Sequence, residues 1–276
     1  MTTYILEGGL GNLLFQLNYY NACQKFLTTS GHGDQISLGI INCFARKLYF
    51  KSSSANDNRD ISVLSQLTGS SPARVFNSSA MIKLGLSKFT GSPFLGFVHD
   101  KYSLLSIESS LAFKCVFTYG HNGVPISLDL LNSLRSTLVN SVCASNIRNI
   151  MEANAYEAVL HFRAGDTKSI QSLNTSYFLN ACQGYNKVLV ITNDQGKARS
   201  VFNERKFQFL AKHQSLIADI IYMVNARAFI GSNSTLSWWA SEISQNEQVV
   251  HFPAYRSLSD YFCPASNKSR ILYEIY

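Results

Sequence analysis

The chain has 276 residues, of which 46% are hydrophobic and 15% charged. That length holds one large domain or two modest ones, and that composition excludes a chain that is mostly disordered or fibrous. The net charge of +7 suits an anionic partner, but the basic residues are scattered and never form a block of five or six, so a phosphate-bearing small molecule is favoured over nucleic acid.

The opening segment, "MTTYILEGG", lacks the basic and long apolar regions of a secretory signal, and no apolar run reaches the length of a membrane span. The expectation is a protein free of membrane spans, cytoplasmic, or luminal if the chain is a domain of something longer. The six cysteines, Cys23, Cys43, Cys115, Cys143, Cys182 and Cys263, are isolated from one another. With no CxxC and no His/Cys cluster at metal spacing, they read as core thiols in a reducing compartment, although an even count leaves disulfides open.

In chain order, Thr3 to Leu6 reads as a strand, Gly8 to Gly11 as a glycine-rich turn, and Asn12 to about Phe26 as a helix. A strand, Gly loop and helix in that order commonly begin an α/β domain. Residues 51–60, "KSSSANDNRD", read as loop. "SPFLGFVHDKYSLLSIESSLAFKCVF" reads as a short strand, a turn and a helix from near Lys101. After the break at "HNGVP", residues 127–151 fit one helix, with Ser127 as N-cap and Leu128, Leu131, Leu134, Leu138 and Val142 at spacings of three and four.

The second half alternates regularly. Strands are expected at 157–163, 187–192, "RAFIGS" and "EQVVHFP", and helices at "NTSYFLNACQGY", "DQGKARSVF", "SLIADIIYMVNA" and "STLSWWASEIS". This alternation argues for a parallel sheet with helices on both faces. A boundary near residue 150 divides the chain into two α/β halves, 1–150 and 151–276.

Four stretches carry chemistry. In "AVLHFRAGDTKS", an apolar strand ends in His161, Arg163 and Asp166. Charged groups are seldom buried unpaired, and ligands of open parallel sheets bind outside the carboxyl ends of the strands. His161 and Arg163 share one strand face, and arginine's planar fork suits a phosphate. An Arg–Asp pair closing the loop is the plainer alternative. In "LVITNDQGKARS", Asp194 follows a buried strand and suits a ribose hydroxyl or the N–H edge of guanine; helix N-capping by Asn193 or Asp194 is the alternative. In "IGSNSTLSWWAS", the cluster Ser232, Asn233, Ser234 and Thr235 leads into a helix start, a ready phosphate cradle. A glycan on the Asn233 sequon would obstruct it. Trp238 and Trp239 read as core. In "EGGLGNLLFQ", Gly9 and Gly11 allow close backbone approach, but Leu14 stands where a dinucleotide loop needs its third glycine, which argues against hydride transfer. His99, His121, His213 and His251 are isolated and read as structural or exposed. No Walker loop, nucleophile elbow, HExxH or D-x-D motif occurs.

The ordered set "GGLGNLLFQ", "FLGFVHDKYSLL", "LHFRAGD", "VITND" and "IGSNSTLSWWAS" resembles the α-1,2-fucosyltransferases of glycosyltransferase family 11, over most of residues 4–255. Members usually carry GGLGNQMFQ, HxRRGD, a strand ending in an acidic pair, and NSTxSWW. The chain departs from that pattern at Leu13, at Ala164 and at the Asn193–Asp194 pair. The resemblance implies a GT-B-like α/β fold, with two Rossmann-like parallel-sheet halves facing a cleft, the first on the acceptor side and the second on the donor side. It implies GDP-fucose as donor, a glycan acceptor (galactose is usual), inversion at the sugar carbon, and no metal or other cofactor. Arg163 would then hold the β-phosphate, His161 and Asp194 guanine or ribose, and Asn233, Ser234 and Thr235 the phosphate oxygens. Gly9, Gly11 and Asn12 would line the cleft near the transferred sugar or acceptor, with Asp166 the candidate base. A transferase using another nucleotide sugar and a non-catalytic glycan- or nucleotide-binding relative stay open as alternatives.

Overall fold

The structure is a computed structural model that describes residues 2–6, 9–31, 36–41, 74–76, 95–98, 115–118, 126–140, 142–163, 175–210, 215–244, 247–254 and 270–274. Contacts divide the chain into two units, Met1–Leu130 with Tyr261–Cys263, and Leu131–Asp260 with Pro264–Tyr276.

In the first unit, β1 (Thr2–Leu6) leads into α1 (Leu10–Thr29), followed by β2 (Ile36–Ile41), β3 (Arg74–Phe76), β4 (Leu95–Val98) and β5 (Cys115–Thr118). The strands form a parallel sheet in the order β3-β2-β1-β5-β4. The register sets Thr2 beside Ile36 and Thr3 beside Cys115. The α1 helix begins two residues earlier than its apolar pattern indicates. Gly9 is its N-cap, in extended backbone, and the carbonyl of Gly9 accepts the N–H groups of Asn12 and Leu13 at 2.9 and 3.1 Å. Gly11 and Asn12 therefore lie in the first helical turn, not in a turn before it. Leu13, Leu14 and Leu17 are fully buried, and so are the polar Gln16 and Asn18. The Asn18 carboxamide oxygen is satisfied by the Ser127 N–H at 2.9 Å, as burial of such a group demands.

One expectation for this half changes, and two strands were not anticipated. Residues 115–118, placed at the end of a helix running from Lys101, form the strand β5; the other residues of that expected helix lie outside those described. β2 and β3 carry no alternation strong enough to mark them in sequence. Each reads as a short apolar run of the kind a doubly covered parallel sheet contains.

Residues 127–151 form two helices, α2 (Leu128–Val139) and α3 (Val142–Ala153), instead of one. The Ser127 hydroxyl accepts the Leu130 N–H at a long 3.5 Å, so the expected cap is weak. The Arg148 guanidinium ties the corner, donating to the Val139 carbonyl at 2.8 Å and to Asn225 Oδ1 at 3.1 Å. From residue 131 onward these helices group with the second unit, so the division falls at Leu130 where the sequence placed it near 150. The physical reason is that α3 packs along a later helix, α6 (Leu216–Asn225).

The second unit holds β6 (Ala158–Phe162), α4 (Thr175–Ala181), β7 (Val188–Thr192), α5 (Gln195–Val201), β8 (Phe207–Phe209), α6, β9 (Ala228–Ile230), α7 (Thr235–Ile243), β10 (Val249–Ala254) and β11 (Arg270–Glu274). Its parallel sheet runs β11-β10-β9-β6-β7-β8. Counted from β6, that is the doubly wound order of Rossmann folds, with the reversal between β6 and β9. Strand alternation sorts the two faces. Ala158, Leu160 and Phe162 join Val188, Val190, Ala228 and Ile230 in one apolar cluster with Phe178 of α4 and Phe202 after α5. Phe162, Phe178 and Phe202 meet edge to face at 5.1–6.1 Å between centroids. Val159 and His161 alternate to the opposite face, where α6 packs.

Helix ends are capped as their sequences dictate. Asp194, Ser215 and Ser234 cap α5, α6 and α7 by accepting the N–H groups of Lys197, Ala218 and Ser237. At the other end of α7, Arg135 donates to the carbonyls of Glu242 and Ile243, both at 3.0 Å, placing a cation at the helix C-terminus. Both Trp238 and Trp239 are buried, their rings edge to face at 5.6 Å. Cys23 and Cys182 are free, buried thiols and Cys143 is a free, exposed one.

Candidate functional site

The sheet of the second unit reverses between β6 and β9, which pair with Leu160 beside Ile230. The next residues along each chain are His161 and Gly231. A crevice outside the carboxyl ends of two such strands is where doubly wound sheets take their ligands. Here the structure gathers a connected polar cluster. His161 is buried, with Nδ1 2.5 Å from Ser237 Oγ and 3.3 Å from Ser232 Oγ. Ser232 donates its backbone N–H to Ser237 Oγ at 3.2 Å, and the Ser234 hydroxyl donates to the same oxygen at 3.3 Å.

Gly231 brings the chain from β9 into this cluster. A Cβ there would lie 2.6 Å from Phe252 Cε2 on β10, so only glycine fits beneath that ring. Its backbone is pinned on both sides: the N–H donates to the His251 carbonyl at 3.0 Å and the carbonyl accepts the Tyr177 hydroxyl at 2.8 Å. His251 is not isolated, since Nε2 lies 2.8 Å from the Tyr185 hydroxyl, and burial pushes its imidazole below the usual value.

Ser234 is 3% exposed, and its oxygen accepts the Ser237 N–H at 3.1 Å, so its hydroxyl is engaged within the protein. The Thr235 and Leu236 N–H groups, first in α7, make no hydrogen bond with the described residues and are the donors the helix start presents. Thr235 and Asn233 are half-buried beside them. Arg163 directly follows β6 and is half-buried. Asp166 lies outside the described residues. Asp194 follows β7, one strand over; its Oδ1 accepts the Lys197 N–H at 3.0 Å, so the capping alternative is the one the geometry contains. Gly9, Gly11 and Asn12 belong to the first unit.

Sequence reasoning missed two residues here, Ser237 and Asp219. Ser232 and Ser237 sit inside a stretch that was singled out, but their convergence on His161 comes from β6 and α7 meeting across 76 positions of sequence. Asp219 is a lone acid in the apolar helix α6. Because α6 follows the parallel strand β8, it starts on the carboxyl side of the sheet. Burial pushes its carboxyl up from 3.8 to about 7. The one signal in sequence is the acid itself within "SLIADIIYMV". Among the described residues no group of three His, Cys, Asp or Glu could hold a metal ion, and no helix is long and apolar enough to cross a membrane.

No protein-family pattern matches the chain, and no curated protein matches it in sequence. Among solved structures it is similar to an ADP-heptose lipopolysaccharide heptosyltransferase II from E. coli, at 12% identity over 99% of this chain and 90% of that one, TM-score 0.47. It is also similar to a family 9 glycosyl transferase from Veillonella parvula, at 9% identity over 99% and 85%, TM-score 0.47. A third similar structure is the fucosyltransferase NodZ from Bradyrhizobium, at 10% identity over 88% and 93%, TM-score 0.44. At these scores the likenesses carry no weight for function, which rests on the chain's own residues.

Proposed function

We propose that the chain is an inverting, metal-independent fucosyltransferase that moves fucose from GDP-fucose to a glycan hydroxyl, the 2-OH of galactose. The resemblance in motif order supports this reading. The observation that carries it is the meeting of two of those motifs, "LHFRAGD" and "IGSNST", at the switch point of a Rossmann-ordered sheet, through His161, Ser232 and Ser237.

The chemistry follows from the donors there. As GDP leaves, negative charge grows on its β-phosphate. Arg163 at the end of β6 and the Thr235 and Leu236 N–H groups would stabilise it as preorganised donors. His161 and the second oxygen of Asp194 would meet guanine or ribose. The acceptor hydroxyl attacks from the opposite face, with Asp166 taking its proton late. Asn12, Gly9 and Gly11 would contact the transferred sugar or the acceptor.

The test is thermal unfolding with GDP, UDP, GDP-mannose and GDP-fucose, each with and without EDTA. Saturation at about 100 times the dissociation constant adds roughly 2.7 kcal/mol of stability. A shift with GDP and GDP-fucose that survives EDTA is expected, followed by fucose transfer to a galactoside. A shift with UDP alone, or one abolished by EDTA, overturns the donor assignment. Binding without transfer to any glycan makes the chain a non-catalytic relative.

A further inference from the structure

The hydrogen bonds between β9 and β10 stop where the sequence of β10 takes a donor away. In a parallel pair, a residue bonded across the ladder donates its N–H to the residue before its partner and accepts an N–H from the residue after it. Ile230 stands beside His251, so Gly231 falls beside Phe252. The Gly231 N–H donates to the His251 carbonyl at 3.0 Å, as that pattern requires. Its carbonyl would next accept the N–H of residue 253, which is proline and has none. The ladder therefore offers no donor there. The Tyr177 hydroxyl of α4 takes the place, 2.8 Å from the Gly231 carbonyl oxygen and 3.1 Å from that of His251. Tyr177 is buried, so a protein group meets this strand end where water would otherwise be needed. The other end of the same peptide unit is held too. The Ser232 N–H, which shares a plane with the Gly231 carbonyl, donates to Ser237 Oγ at 3.2 Å. One peptide plane is thus gripped from α4 at its oxygen and from α7 at its nitrogen. The chain beyond has little slack. The Ser234 N–H returns to the Ser232 carbonyl at 2.7 Å, and Ser234 is already the N-cap of α7.

We infer that Tyr177 is a positioning residue. Its hydroxyl stands in for the N–H that Pro253 lacks and fixes the Gly231–Ser232 peptide, and with it the direction in which the first turn of α7 presents its Thr235 and Leu236 N–H groups. The ring of Tyr177 has a separate task, packing in the apolar cluster beside Phe178 at 4.7 Å between centroids. The consequence for a nucleotide diphosphate rests on the proposed function; the clamp on the peptide rests on bonds within the second unit alone.

The test uses the full chain and Tyr177→Phe, which keeps the ring and removes the hydroxyl. Amide hydrogen exchange followed by NMR reads the clamp without any ligand. Tyr177→Phe should speed exchange at Ser232 roughly 2- to 10-fold more than at Val190 on β7, the worth of one hydrogen bond. Pro253→Ala supplies an N–H on the side of β10 that faces β9. Added to Tyr177→Phe, it should slow Ser232 exchange again; in the wild-type background, where the carbonyl already has its donor, it should not. Equal acceleration at Ser232 and Val190, or an effect of Pro253→Ala that is the same in both backgrounds, would overturn the positioning role. If Tyr177→Phe alone does not fold, its combination with Pro253→Ala should, and failure of the combination overturns the exchange of one donor for the other. GDP titration of the same samples decides the consequence for the ligand. Tyr177→Phe should weaken GDP binding roughly 2- to 10-fold, with recovery on adding Pro253→Ala. Unchanged affinity beside faster Ser232 exchange overturns the link from the clamp to the ligand. Failure of the wild type to bind GDP while Ser232 responds as expected overturns the nucleotide reading and leaves the clamp intact.

Discussion

Gly231→Ala tests the packing that joins the second sheet to its site. The new Cβ would lie 2.6 and 2.9 Å from two ring atoms of Phe252 and 3.4 Å from Phe229. Carbon atoms meet comfortably at about 3.5–4.0 Å, so something must move by about an ångström. The glycine cannot retreat without breaking its bonds to His251 and Tyr177. The Phe252 ring is 5% exposed and has little free space. Among the described residues Gly31 is the one glycine with positive φ, so Gly231 has a backbone that alanine adopts and the cost is steric alone. Overpacking of this kind costs about 1–3 kcal/mol, and the stiffer unfolded chain returns about 0.4–1 kcal/mol. A net loss of about 1–2 kcal/mol lowers the melting temperature by roughly 2–8 °C. Differential scanning calorimetry reads this directly. Gly184→Ala is the control, because its Cβ meets nothing within 4 Å; it should melt at or above the wild type. Combining Gly231→Ala with Phe252→Leu should recover about 1 kcal/mol or more as coupling energy. A Gly231→Ala variant as stable as the wild type, or additive effects in the pair, would refute the close approach.

Arg163→Ala is expected to keep the melting temperature within a few degrees while weakening GDP roughly 10- to 100-fold, the range for hydrogen bonds to charged groups; unchanged affinity by calorimetric titration removes Arg163 from the site. Asp219 makes stability depend on pH with a definite sign. Its folded value near 7 lies above the unfolded 3.8, so between those values the folded state holds the extra proton and stability falls as pH rises. The span is at most about 4 kcal/mol, and Asp219→Asn should flatten the denaturant-melt profile over that window. Cys182 is buried, with its thiol pushed up to about 12, and should resist alkylation in the native state. Cys143 is exposed and should react at once, as mass mapping of a short maleimide pulse would reveal.

Local chemistry made much of this protein legible from sequence. Val159 and Leu160 before His161, and Val188 to Ile191 before Asp194, are apolar runs too short for helices and ended by polar groups; that pattern belongs to buried parallel strands, and both are strands. Ser215 and Asp194 announce the helices they cap, because capping needs only a side-chain oxygen and a chain three residues long. Leu134 and Leu138 mark the buried face of α2 through helical periodicity alone. The sequence also drew attention to "LHFRAGD" and "IGSNST" separately, and to Gly9 and Gly11 as a place where side chains are unwelcome.

What tertiary structure decided is everything that depends on two distant segments meeting. The break between α2 and α3 is set by Arg148 reaching the Val139 carbonyl and Asn225, so apolar spacing alone ran the two together. Short strands such as β2, β5 and β8 gain their hydrogen bonds from neighbours far along the chain, and nothing in three to six residues marks them. Nothing local marks Gly231 as needing to be glycine; the reason for it is the Phe252 ring on β10. Asp194, open to either role by sequence, caps α5. Ser237 had no distinguishing mark at all. It meets His161 only because β6 and α7, 76 positions apart in sequence, bring its hydroxyl to the imidazole.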